Sequence, residues 1–462
     1  MFSFKKFKGK TAGVIGLGKS GQAAAKFLHR QGFKVLLCDS RTLPLPLGLE
    51  GIEVFTGGFP EQFFNCDFFI KSPGISNFEP VIKKIKALKK PIFSEIEIAL
   101  AFIPKSVKVF AVSGTNGKST TTVMLGEILK EHVKEIKSKQ QVYVAGNIGT
   151  PLTSYAEKIE ENSLIVLETS SYQLEDSTYF KPFCAALLNI TPDHLDHHGG
   201  IDNYILAKSK IFKQQGEKDF FITNGGDTVC VSLIKKAKSN VLTFSSEVKH
   251  SVRVDVFYDG DELIFSSGAH LKPPKLLVGL HNIENAMAAS LMAFAAGVSQ
   301  KAVQKGFDIF NCLEHRIEYF AELNGVKCYN DSKATNIEST IPALKSFHRD
   351  NHIWLILGGR HKGSPYTPLL PYLQKYCKQA VLIGEASQII KQDIGPYFPV
   401  IEKGDLKHAV EYIFSQAKRG DILLLSPACA SFDQFTDFED RGRKFKKIVL
   451  DYIKNHKNFK RN

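Results

Sequence analysis

Twice in this chain a short run of β-branched and apolar residues breaks on a small-residue turn and enters a helical pattern. The run at 11–15 meets Gly16-Leu17-Gly18-Lys19-Ser20-Gly21. The run at 107–112 meets Ser113-Gly114-Thr115-Asn116-Gly117-Lys118-Ser119-Thr120. A strand that feeds a helix through so short a turn belongs to a βαβ unit. Its strands lie parallel, and its turn sits on the sheet edge where ligands bind. The chain is therefore expected to be α/β. Its 462 residues exceed one ordinary core, and such a length suggests about two to four domains.

The alternation runs through three segments. Over 1–104, strands at 11–15, 35–38 and 68–71 alternate with helices at 21–31 and 80–88. Ile103-Pro104-Lys105-Ser106 then breaks the pattern as a linker. Over 105–311, strands at 107–112, 163–167, 185–189 and 219–224 alternate with helices at 118–132, 203–214 and 282–296, with small hairpins over 252–266. Over 312–462, strands at 353–357, 379–383 and 422–425 alternate with helices at 339–347, 366–376, 405–416 and 442–454. Each segment is expected to form one domain around a mostly parallel sheet.

Charge narrows the partners. With 60 Lys and Arg against 47 acidic residues the formal net charge is +13. The lysines are spread along the chain, and no long basic run is interleaved with stacking aromatics, so nucleic acid is not the expected partner. A polyanionic metabolite is. Eight scattered cysteines without a CxxC pair suit a reducing cytoplasm better than a zinc site. No secretory leader and no membrane span are expected.

The turn from Gly114 to Thr120 is the strongest single motif. Unpaired N–H groups at a helix start favour phosphate, Lys118 adds charge for the outer phosphates, and the Ser119 hydroxyl can reach Mg2+. The general phosphate-loop pattern wants a further glycine where Val112 stands. Glu168 follows the apolar run 164–167 and is a candidate Mg2+ ligand at a strand end, or an ordinary capping carboxylate. Asp193-His194-Leu195-Asp196-His197-His198 is a dense ligand cluster, with His194 nearest the strand end. Lys208 and Lys210 read by themselves as a solvated helix face. Three polar loops follow strands of the last segment: Asp331-Ser332-Lys333-Ala334-Thr335-Asn336, Gly358-Gly359-Arg360-His361-Lys362-Gly363 and Ser426-Pro427-Ala428-Cys429-Ala430-Ser431. Their basic and hydroxyl groups suit a carboxylate or phosphate. The turn from Gly16 to Gly21, with Asp39 after the second strand, fits the diphosphate of NAD or of another nucleotide.

Taken together with Gly146-Asn147-Ile148-Gly149, Glu168-Thr169-Ser170-Ser171, His281-Asn282 and His315-Arg316-Ile317-Glu318, these runs resemble the Mur ligases of peptidoglycan precursor synthesis. Within that family the Asp331–Asn336 and Ser426–Ser431 runs resemble the D-glutamate-adding members. The family's shorter phosphate loop accounts for Val112. The resemblance implies a Rossmann-like N-terminal domain, a central P-loop ATPase-type domain and a C-terminal Rossmann-like domain. It implies a monomeric cytoplasmic ligase that uses ATP, two Mg2+ ions and a carbamylated Lys208. The ligase so implied would join D-glutamate to UDP-N-acetylmuramoyl-L-alanine through an acyl phosphate.

Residue by residue, it assigns Lys118, Glu168, His194 and Lys208 to catalysis, and Ser119, Glu168, His194 and Lys208 to metal. Gly114, Thr115, Asn116, Gly117, Lys118, Ser119, Thr120, Asn282, Arg316 and Asp331 match ATP-binding positions. Lys19, Ser20, Asp39, Ser40, Arg41, Ser72, Gly74 and Asn147 match the UDP-substrate site. Lys333, Thr335, Lys362, Ser431, Phe432 and Phe438 match the D-glutamate site. His197 stands where an arginine is frequent. Competing readings are another Mur-type or folylpolyglutamate-type amide ligase, a nucleic-acid-dependent ATPase and an NAD-dependent dehydrogenase.

Overall fold

The computed structural model describes residues 7, 9–246, 252–275, 277–311, 313–347 and 352–458. They form two compact units. One runs to Lys275 and takes in His281–Phe310; the other begins at Asn311 and takes in 277–280.

The first unit holds two sheets. Strands β1 (Thr11–Ile15), β2 (Lys34–Asp39), β3 (Glu53–Thr56), β4 (Phe68–Lys71) and β5 (Ile92–Ser94) are all parallel, in the order β3-β2-β1-β4-β5. The order reverses at β1, so a crevice opens beyond Ile15, Asp39 and Lys71. Strands β6 (Lys108–Ser113), β7 (Val142–Gly146), β8 (Leu164–Glu168), β9 (Cys184–Leu187), β10 (Phe220–Asn224), β11 (Asn240–Ser245), β12 (Val256–Tyr258), β13 (Leu263–Phe265) and β14 (His270–Leu271) form the central sheet. Its order is β14-β13-β12-β11-β10-β9-β6-β8-β7, parallel from β7 to β12 and antiparallel at the β13 and β14 edge. Here the reversal lies at β6, between β8 and β9.

The second unit carries β15 (Glu318–Leu323), β16 (Val326–Asn330), β17 (Ile353–Gly358), β18 (Cys377–Ile383), β19 (Val400–Gly404) and β20 (Ile422–Leu425), in the order β15-β16-β20-β17-β18-β19. All pairs are parallel except β15 with β16.

Burial explains the sequence pattern. Strands β8, β17 and β20 are buried at every position, which requires helices on both faces and reads as an unbroken apolar run. The helix Lys118–Glu135 packs against Gln300–Ile309, and Gly306 permits the approach: a Cβ there would lie 2.6 Å from Ile128. The expected helix at 366–376 is divided into a 3-10 turn, Thr367–Leu369, and a helix, Leu370–Tyr376. Pro368 and Pro371 each remove an N–H donor and so interrupt it. The last segment is not purely parallel, because β15 and β16 form a hairpin. Its turn is Asn324-Gly325, both in the left-handed region.

Seven cysteines are free and buried; Cys312 and the tail beyond 458 lie outside the described residues. Among the described residues no helix is long and apolar enough to cross a membrane.

Candidate functional site

The phosphate loop leaves β6 and turns into Lys118–Glu135. Gly117 occupies the left-handed region at φ 85°, and a Cβ there would meet Asn285 Oδ1 at 2.1 Å. The loop is clamped from the β9 side. Asn116 N–H donates to Asn189 Oδ1 (2.8 Å), Asn189 Nδ2 donates to Asn116 O (3.2 Å) and Thr115 N–H to Asn189 O (3.0 Å). Thr115 Oγ1 lies 3.0 Å from both Thr191 O and Tyr204 OH. Asn285 also accepts from Thr121 Oγ1 (3.2 Å) and donates to Asn282 Oδ1 (3.1 Å), which brings Asn282 to the loop. Lys118 Nζ donates to Gly114 O (2.9 Å) and Thr115 O (2.7 Å). Ser119 and Thr120 are buried in the first helical turn.

Lys208 reaches the same loop. It sits on the helix Ile201–Lys213, is 1% exposed, and its Nζ donates to Gly114 O at 2.7 Å. Burial and the neighbouring charge of Lys118 hold its ammonium well below the ordinary lysine range. The bland expectation of a solvated helix face is therefore wrong for Lys208. Lys210, two positions on, points elsewhere and donates to Glu175 O.

Glu168 ends β8 opposite Val112 of β6 and Gly146 of β7. It is 2% exposed. Its Oε1 accepts from Asn147 Nδ2 at 2.8 Å, while Oε2 is buried without a hydrogen-bond partner. An orphaned carboxylate oxygen at a phosphate-binding edge suits a cation. Asn147, matched to the sugar-nucleotide site, thus lies on Glu168 in the central sheet. His194 adopts the left-handed conformation at φ 53° and starts the short turn Leu195–His198. Its Nε2 lies 3.4 Å from Asp193 Oδ2. Burial, then the charges of Lys118 and Lys208, lower its pKa against Asp193, which favours a neutral ring with a free lone pair. Among the described residues the tight groups of acid and imidazole ligand atoms are Glu175-His197-His198, which joins Glu175 to two histidines of the expected Asp193–His198 cluster, and Glu314-His315-Glu318, which was not expected as a ligand group.

The crevice of the first sheet holds a cavity of about 650 Å3, lined by Gly16, Gly18, Asp39, Ser40, Arg41, Ser72, Gly74, Glu79 and neighbouring apolar residues. Lys19 and Ser20 open the helix Lys19–Arg30 beside it, with no side chain capping its N–H groups. Gly21 is required there, because a Cβ would fall 1.9 Å from Gly16 O. Asp39 accepts from Leu17 N–H (2.9 Å) and from both Nε and Nη2 of Arg41 (3.0 Å each). The Arg41 guanidinium holds its carboxyl down at about 2.

In the second unit the loops after β16, β17 and β20 meet on one edge. Arg360 and Ala430 exchange backbone hydrogen bonds of 2.8 and 3.2 Å. Lys362 Nζ lies 3.4 Å from Thr335 Oγ1, and Lys333 Nζ lies 5.4 Å from the Phe438 ring centre. Ser431 is buried and Phe432 is exposed. Asp331 accepts from Ser426 Oγ (2.7 Å) and Ile317 N–H (3.2 Å), and burial pushes its carboxyl up to about 7. Arg316 is exposed beside it. Ile317, β-branched, has φ 44°, a strained conformation of the kind that gathers at functional loops. Arg441 was not anticipated. Fully buried, it donates to Ser332 Oγ (3.0 Å), Ser332 O (2.8 Å) and Cys429 O (3.1 Å), and so ties two of the loops together. Asn189, Tyr204 and Asn285 were likewise missed. Asn189 and Tyr204 carried a signal, at the heads of the Asn189-Ile-Thr-Pro-Asp-His194 and Tyr204-Ile-Leu-Ala-Lys208 runs, and Asn285 carried none.

Residues 10–94 match the Mur ligase MurD-like N-terminal domain, 112–293 the Mur ligase middle domain, and 315–429 the Mur ligase glutamate ligase domain. The UDP-N-acetylmuramoylalanine–D-glutamate ligase of Elusimicrobium minutum is 52% identical over 97% of this chain and 99% of its own length. That of Koribacter versatilis is 43% identical over 96% and 97%. The solved UDP-N-acetylmuramate-alanine ligase of Thermotoga maritima shares the fold at a TM-score of 0.60, with 18% identity over 96% of this chain and 100% of that one.

Proposed function

This chain belongs to the Mur ligase family, and on that premise we propose that it uses ATP to join D-glutamate to UDP-N-acetylmuramoyl-L-alanine. The reaction forms a peptide bond in peptidoglycan precursor synthesis. The near full-length likeness to D-glutamate ligases carries this reading. We assign 1–104 to the sugar nucleotide, 105–311 to ATP and 312–462 to the incoming amino acid. The reaction is assigned to the cytoplasm.

The chemistry follows from the substrate. A carboxylate has no leaving group. Attack of its oxygen on the γ-phosphorus of ATP forms an O–P bond, breaks the β–γ bridge and releases ADP, leaving an acyl phosphate. The D-glutamate amine then adds to the carbonyl carbon, loses a proton and expels phosphate. Three anions converge, so positive charge must offset their repulsion. The loop N–H groups and Lys118 supply part of it. Ser119, Glu168 and His194 would hold Mg2+, a use typical of Mur ligases, and the free Glu168 oxygen supports this. Bound there, Mg2+ would withdraw charge from the phosphates.

The state of Lys208 supports the carbamate. Burial and the charge of Lys118 disfavour the ammonium and so favour the free amine, which can add to CO2, forming an N–C bond and losing a proton. The resulting anion suits a second Mg2+, which an ammonium would repel. Lys19, Ser20, Asp39, Ser40, Arg41, Ser72 and Gly74 are assigned to the UDP group, with an uncapped helix start suited to its diphosphate. Asn147 is assigned to the same substrate. Lys333, Thr335, Lys362, Ser431, Phe432 and Phe438 are assigned to D-glutamate, whose two carboxylates suit the lysines. Asn282, Arg316 and Asp331 are assigned to ATP.

Phosphate release tests the reading. It is expected only when ATP, UDP-N-acetylmuramoyl-L-alanine and D-glutamate are all present. Equal release with another amino acid from a panel would move the chain to a different amide ligase.

A further inference from the structure

A buried cluster of charge joins the first sheet to the central one. Lys71 ends β4, one residue before Ser72 of the cavity. Its side chain is 0% exposed, and its Nζ sits 2.6 Å from Glu175 Oε1 and 2.8 Å from Asp176 Oδ2. A buried ammonium is tolerated only where carboxylates answer it. Glu175 ends the helix Ser171–Glu175, whose N-cap Ser170 stands two residues after Glu168.

Glu175 serves two further groups. Its Oε1 lies 2.9 Å from His197 Nε2 and its Oε2 lies 3.3 Å from His198 Nδ1. His198 Nε2 is held in turn by Ser171 Oγ at 3.0 Å. Both histidines belong to the turn that His194 opens, and their N–H groups donate to His194 O at 3.2 Å. The Tyr172 ring lies 4.9 Å from that of His194 and 4.2 Å from that of His197, and it stacks on His198 at 13°. A contiguous set of contacts therefore runs from Lys71 to His194.

We propose that Lys71 is a positioning residue that holds Glu175, and through it the His197–His198 turn, so that His194 presents its ring to Mg2+. The proposal rests on the reading of His194 as a metal ligand. Without the ammonium, Glu175 and Asp176 become two neighbouring buried carboxylates. Their repulsion is relieved by moving apart or by taking up a proton, and either change loosens the histidine turn. The effect belongs in the metal requirement, because outer groups that orient a ligand are felt through metal affinity.

The test is Mg2+ affinity, read as turnover against free Mg2+ at saturating substrates and, without turnover, by calorimetric titration of Mg2+ into the protein holding a non-hydrolysable ATP analogue. Lys71→Met keeps the length and removes the charge; its half-saturating Mg2+ is expected to rise about 10–100-fold. Lys71→Arg keeps the charge and is expected to recover most of that shift. Should Lys71→Met not fold, Lys71→Met with Asp176→Asn removes a buried cation and a buried anion together; it is expected to shift in the same direction by less, because the repulsion is gone while Glu175 still lacks the ammonium that holds it. An unshifted Mg2+ curve in a folded variant lacking Lys71 overturns the proposal. His194→Ala separates the two claims. A shift there with none in the Lys71 variant defeats the positioning role alone, and no shift there defeats the metal-ligand reading beneath it.

Discussion

Lys208 and Gly114 stand 94 positions apart in the chain, yet the side-chain nitrogen of one lies 2.7 Å from the carbonyl oxygen of the other. That bond sets a buried amine against the first residue of the phosphate loop. A lysine needed only for solubility has no reason to be there. The desolvation of its charged form is costly, and the nearby Lys118 raises the cost further.

Lys208→Ala is expected to lose most turnover and to regain part of it when a small carboxylic acid such as formate is added at high concentration. Truncation removes the carrier of the proposed anion and leaves room for a free carboxylate. A loose acid must also be immobilised, so rescue is partial. Phosphate release measures both effects, and an unchanged rate in the variant would end the assignment.

Lys118→Ala is expected to lower turnover by about 10²–10³-fold or more, the scale seen when one preorganised charge-stabilising group is removed. Its far-ultraviolet dichroism should match that of the parent, because the hydrogen bonds of Lys118 to Gly114 O and Thr115 O lie within the loop and hold no helix or strand together. Near-parental activity would remove ATP from this loop.

Gly117→Ala should weaken ATP binding and cost about 1–3 kcal/mol of stability, the usual range for overpacking. The added Cβ would stand 2.1 Å from Asn285 Oδ1 at a backbone φ of 85°. Calorimetric titration with a non-hydrolysable ATP analogue checks the first effect and thermal unfolding the second. A variant that binds as tightly as the parent would show that the loop reshapes freely.

Asp331 supplies the pH dependence. Burial raises its carboxyl from the ordinary 3.8 to about 7, so the folded protein holds that proton more tightly than the unfolded chain does. The stabilising contribution is fully present below the ordinary value and is lost as pH rises through about 7. Asp331→Asn stays neutral. The Tm of the parent minus that of the variant is expected to fall between pH 5 and pH 8. Glu97, raised to about 7 by its own burial, titrates in both proteins and cancels in the difference. Parallel Tm curves would contradict the buried-acid account.

Period and turn chemistry made the parallel strands and the phosphate loop legible, since both are local. The strand 68–71 and the helix start at Lys118 emerge where expected. The hairpin of β15 and β16 was overlooked although Asn324-Gly325 announces it. Other features had no local signal. Lys71 looks like any lysine after Phe68-Phe69-Ile70, and only the packing of two sheets reveals its carboxylate partners. Arg441 lies on a helix rich in exposed charges, and its burial depends on loops far away in sequence. Lys208 reads as solvated until the helix bearing it is laid against Gly114.

The most direct test of the central claim follows the oxygen atoms. UDP-N-acetylmuramoyl-L-alanine labelled with 18O in its free carboxylate is incubated with ATP, Mg2+ and D-glutamate, and both products are weighed by mass spectrometry. Attack of the carboxylate on phosphorus leaves one labelled oxygen in the released phosphate, and the sugar nucleotide gains one D-glutamate residue. Unlabelled phosphate, or phosphate released without that gain, would contradict the account.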